Sequence, residues 1–318
     1  MALGQRARTG STSAPIEPAV WALAVAAGVE LAILRTFTRT AVHIPGLQAL
    51  RTPYEILTKG GEFAYFLTLC LLLPVGVGLV VALYRERHPQ RYLASFGLSL
   101  FALPWPLLDA HAISTRAMDA LTLGAVAALA SAIVLTARRA ARLPVITFAL
   151  AFGASALYTL AMTSGSVHGF QHAGTLLSAA ELLGLAYGCS TPLMVDRSAD
   201  RLATTAGVAS GVLVLAAMLG NGSTSRFLLL WNAGLSGTFP SFIYAAAAGA
   251  LVYTILRGLR SGAPLLAAGL VLLVAGGLGL HSTYQSGLVV AGLASLALAL
   301  WSERVPDGSS LMHEAAAA

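Results

Sequence analysis

The sequence predicts an all-α, polytopic transmembrane helical bundle of about ten spans with both termini on the cytoplasmic side, and three observations predict it. The chain is 57% hydrophobic and only 10% charged, whereas a soluble domain carries about 25% charged residues to wet its surface. Apolar runs close to the roughly 20 residues needed to cross lipid recur along its length. The basic residues fall in the gaps between those runs, alternately dense and sparse, as the positive-inside rule requires of a multi-pass chain.

Residues 1–17 are polar and rich in Ser, Thr, Arg and Pro, and read as a disordered cytoplasmic tail. This stretch is too long and polar to precede a cleaved signal, so the first run, 18–37, reads as a signal anchor. An outer loop, 38–60, connects it to the second run, 61–84. Within that loop Leu47, Leu50, Tyr54, Ile56 and Leu57 alternate with Gln48, Arg51, Glu55 and Lys59. The pattern fits either an interfacial helix on the outer leaflet or a plain loop broken by Pro45 and Pro53.

The third run, 92–109, contains Leu103-Pro104-Trp105-Pro106, and the next four are 118–137, 144–163, 174–195 and 202–220. The eighth, 227–256, is interrupted between Gly234 and Pro240. Proline there predicts a half-helix followed by a full span, or one kinked helix. The last two, 263–280 and 286–301, are short enough to form a tight hairpin instead. Residues 18–301 thus form one transmembrane helical domain, and 302–318 a second cytoplasmic tail. Ten spans accommodate an inverted pair of five, with proline-interrupted segments in the equivalent third and eighth positions.

Loop charge sets the orientation. With the N-terminus inside, the inner segments hold 13 of the 19 basic residues, including Arg85, Arg87, Arg91, Arg201, Arg257 and Arg260. The outer segments hold six, four of them (Arg35, Arg39, Arg51 and Lys59) in or just before the first outer loop. The net charge of +6 therefore reflects topology, and no nucleic-acid partner is expected. Cys70 and Cys189 lie inside apolar runs and are expected to be small buried hydrophobes.

Sorted by side, the polar residues gather on the outer half. Five of the seven histidines, His43, His111, His168, His172 and His281, fall there. So do Glu30, Glu62, Asp109, Glu181, Asn232, Ser236, Tyr284 and Gln285, whereas the inner halves carry almost nothing ionisable. An ionisable group in hydrocarbon costs about 2.5–3.5 kcal/mol or more, so Glu30 and Glu181 are expected to face the bundle interior or water. Arg35 is placed to neutralise Glu30 across the outer interface.

The sharpest local pattern is His168-Gly-Phe-Gln-His172. On a helix, positions i and i+4 share a face and hold one metal ion between them. Asp109 is assigned to the same metal site, and His111 and His281 to a cofactor pocket at neighbouring helix ends. Imidazole suits copper, zinc or haem iron. A b-type haem would need two histidines from different helices, His111 or His281 opposite His168 or His172. Histidine is also at home at the lipid–water boundary, which is the structural explanation for the same residues. His172 and Glu181 are nine positions apart, on opposite helix faces, so one unbroken helix cannot aim both at one ion. Gly234-Leu235-Ser236-Gly237 resembles the GxSG motif of rhomboid intramembrane proteases over four residues, but Thr-Phe-Pro-Ser follows and no catalytic role is carried over.

Three functions are expected from these features. The first is a metal- or haem-binding redox or electron-transfer subunit with membrane or periplasmic partner subunits. The second is a secondary transporter with intramembrane carboxylates. The third is a metal-dependent membrane hydrolase. The expected location is the inner membrane of a bacterium or archaeon.

Overall fold

A computed structural model describes residues 16–31, 51–136, 143, 146–147, 150, 180, 183–188, 190, 200–220, 238–276 and 283–302. Among the described residues every regular element is helical and no strand occurs. The helices are α1 (Glu17–Glu30), α2 (Arg51–Arg85), α3 (Arg91–Ala102), α4 (Trp105–Asp109), α5 (Thr115–Thr136), α6 (Arg201–Gly220), α7 (Thr238–Arg260), α8 (Pro264–Gly276) and α9 (Thr283–Ser302). Among the described residues three stretches, Lys59–Arg85, Arg116–Thr136 and Tyr284–Trp301, are long and apolar enough to cross a membrane.

Residues 51–60 are helical and continue into the second predicted span, so α2 is one helix of 35 residues. Pro53 is tolerated in its first turn, where its missing N–H would have no partner anyway. The third predicted span is two helices, because Pro104 and Pro106 withdraw backbone donors after Ala102 and the chain restarts at Trp105. In the eighth, residues 227–237 lie outside the described ones, and Pro240 falls in the first described turn of α7. Most of the predicted fifth and sixth spans lies outside the described residues.

The centre of the bundle is α9, which packs against α2, α3, α5 and α8. Its apolar window is 83% buried, against 39% for that of α2. Burial at that level tells the two apart: α9 faces protein all round, whereas α2 turns Phe63, Phe66, Val77 and Val81 outward, as a lipid-facing helix would. Cys70 lies on that outward face and is exposed, which corrects the expectation of burial. The apolar run containing it supplies lipid contact as well as core.

Close helix approach is built from glycine. A Cβ on Gly269 of α8 would meet the carbonyl oxygen of Gly292 of α9 at 3.0 Å, and one on Gly292 would meet that of Gly269 at 2.9 Å. Gly207 of α6 and Gly249 of α7 stand in the same reciprocal relation at 2.8 Å. Small residues let backbones approach where lipid offers no hydrophobic drive for association. Hydroxyls inside the helices are satisfied locally: Thr68, Thr122, Thr254 and Ser295 each donate to the carbonyl four residues back.

The described ends sort into two sets. At one end His88 stacks on Trp301, whose Nε1 donates to Thr136 Oγ1 at 3.3 Å. Arg257 and Arg260 of α7 lie at the same end, where a short turn leads into α8 alongside the close of α9. Arg85, Arg87, Arg91 and Arg201 join them. This is the Trp301 end, and the end of α1 marks the opposite, Glu30 end.

Candidate functional site

Glu30 is the last residue of α1 and is only 4% exposed. Tyr284, in the first turn of α9, donates its phenolic O–H to Glu30 Oε2 at 3.2 Å. Tyr65 of α2 meets the Tyr284 ring edge-on, with centroids 5.1 Å apart and planes at 71°. Three helices each contribute one side chain, so the arrangement is fixed by the packing of α9 against its neighbours. The carboxyl oxygen accepts the phenolic O–H, so a polar group buried in the bundle has a partner there. The chemistry available is proton or cation exchange at a carboxyl held beside a phenol in a desolvated setting.

Sequence reasoning named Glu30 and Tyr284 separately and missed their pairing and the part of Tyr65. The only signal was that all three lie toward the same ends of their apolar runs.

His111 lies at the same end of the bundle. Its N–H bonds Leu108 O at 2.9 Å, and the N–H of Ala112 bonds Leu107 O at 2.8 Å. Together these close α4 in a Schellman motif. His111 takes the left-handed position of that motif, φ 56°, which glycine usually fills. The imidazole is exposed. Asp109 is the last residue of α4, two positions earlier.

His43, His168, His172, Glu181, Asn232, Ser236 and His281 lie outside the described residues. Among the described residues no three His, Cys, Asp or Glu side chains come together as a metal-binding group.

The Trp301 end holds an ion-pair cluster whose acidic member the count of basic loop residues did not include. Asp200 caps α6, its Oδ1 accepting the Ala203 N–H at 3.1 Å. Its Oδ2 lies 2.9 Å from Arg260 Nε and 3.7 Å from Arg257 Nη1. These are ion pairs and not aligned hydrogen bonds, since no donor points at Oδ2. Asp200 and Arg257 are both 8% exposed. All three residues come from segments that the sequence reads as loops between apolar runs. Asp200 reads as a loop residue in sequence but folds inward to cap a helix and tie it to α7.

No protein-family model, curated protein or solved structure matches the chain. What the fold defines is a class: among the described residues it is all-helical, with three helices able to cross a membrane.

Proposed function

We propose that this chain is a multi-pass cell-membrane protein of about ten spans, with both termini cytoplasmic, that works as a secondary transporter. Glu30 is its proton- or cation-exchanging carboxylate in the extracytoplasmic half. The observation that carries this is the Glu30–Tyr284 pair buried between α1 and α9. Burying an ionisable group in a membrane bundle costs enough that such groups mark substrate or ion pathways. The orientation draws support from the six arginines that share the Trp301 end, the side that loop charge assigns to the cytoplasm.

The test is proteoliposomes of the full chain carrying an internal pH dye. Amines, amino acids, carboxylates and sugars are added in turn against an imposed pH gradient. One class is expected to discharge the gradient through the wild type and not through Glu30→Gln. Equal discharge by Glu30→Gln sinks the proposal.

A second reading, a metal- or haem-binding redox subunit, draws support from His111. A histidine in a left-handed position that glycine would fill at lower cost points from backbone strain to function. On this reading Asp109, His168, His172 and His281 supply further ligands. Purified protein from cells supplied with haem and copper then shows a Soret band or bound copper that His111→Gly diminishes. A colourless, copper-free preparation rules it out.

A further inference from the structure

We propose that the α2–α3 turn at the Trp301 end is a seat for the headgroup of an anionic phospholipid. The inference rests on the reading of α2 as a membrane-crossing helix. Arg85 ends the membrane-length stretch of α2, so the turn that follows lies at the depth where hydrocarbon gives way to phosphate.

The central cation is held ready. The Arg91 guanidinium lies 4.6 Å from the centroid of the Tyr92 ring and 5.9 Å from that of Tyr84. Its Nη2 donates to the Tyr92 hydroxyl at 2.6 Å, and its Nη1 to Glu86 O at 3.4 Å. Stacking and hydrogen bonding fix the plane of the fork, so little rotamer freedom is lost when it meets a phosphate. The two tyrosine rings pack edge to face at 5.9 Å, yet each residue is 57% exposed. Amphipathic rings of this kind belong at the membrane interface.

Arg85 and Arg87 are exposed beside them. Three arginines against the single carboxylate of Glu86 leave this turn with a net charge of +2. His88 does not add to it near neutral pH, since burial lowers its pKa. The complementary partner at this depth is an anionic diester. A phosphatidylcholine headgroup carries its own cation and matches the patch less well.

The experiment is native mass spectrometry of the full chain released from nanodiscs of mixed phosphatidylglycerol and phosphatidylcholine. The wild type is expected to retain phosphatidylglycerol preferentially. Each arginine near the surface contributes about 1 kcal/mol, or roughly fivefold. Arg85→Gln with Arg87→Gln should therefore lose most of the preference, and Arg85→Lys with Arg87→Lys should keep it. Arg116→Gln, at the opposite end, should leave it unchanged. No preference in the wild type overturns the seat, as does a preference that survives the double glutamine variant or falls equally in Arg116→Gln. Vesicle flotation after an alkaline wash is a separate readout: a chain that washes off has no membrane helix, and the membrane reading fails together with the seat.

Discussion

The Tyr284 hydroxyl reaches the Glu30 carboxylate at 3.2 Å although 254 positions separate them in the chain. The contact joins the first described helix to the last, and it fixes how the opening of α9 is seated against the close of α1. Tyr284→Phe removes the donor and leaves the ring in place. It is expected to lower stability by about 0.5–1.5 kcal/mol, the net contribution of one intramolecular hydrogen bond. Chemical denaturation in detergent micelles measures this, and an unchanged midpoint would show that the hydroxyl contributes nothing.

Asp200→Ala removes the cap of α6 and the ion pairs that Asp200 makes with Arg257 and Arg260. Breaking a buried pair on one side costs about 3–5 kcal/mol, and the half-exposed Arg260 keeps the expected loss at the low end. Thermal unfolding in the same micelles reports it. Asp200→Asn should recover part of the loss, since the amide oxygen still accepts from Ala203.

His111→Gly replaces a left-handed imidazole with the residue that adopts φ near +56° without steric cost. A gain of about 1 kcal/mol is expected, and His111→Val should lose stability. If glycine proves destabilising, the imidazole is making a contact that outweighs the strain.

Stability should also depend on pH through His88. The Gln90 N–H donates to its Nδ1 at 3.2 Å, and its ring lies 4.5 Å from that of Trp301 at 7°. Burial lowers its pKa below the ordinary 6.5, while nearby Glu86 pulls the other way. The folded state thus takes up a proton less readily than the unfolded chain. The stabilisation is complete above about pH 6.5 and is lost as pH falls through that value towards the lowered folded pKa. His88→Phe keeps a stacking ring and should flatten the slope between pH 7 and pH 5 in a melting series.

Among the described residues the helices overlap the apolar runs, but run boundaries failed at Arg51 and where proline acted. Pro104 and Pro106 split one predicted span, whereas Pro240 and Pro53 fall in the first described turns of their helices. Period and hydropathy cannot register that difference, which depends on where the chain enters the helix. In the candidate site, Glu30 stood out because a carboxylate is rare in an apolar run. Tyr284 and Tyr65 are ordinary interfacial residues until packing brings three helices together. Asp200 escaped notice for the opposite reason: it looks like loop polarity, and only the approach of α7 buries it.

The 83% burial of α9's apolar window carries a consequence for biosynthesis. Translation delivers this helix after the eight other described ones, yet α2, α3, α5 and α8 all pack onto it. Among the described helices α9 is therefore the last to join its neighbours, and its arrival brings Tyr284 up to a carboxylate made more than 250 residues earlier.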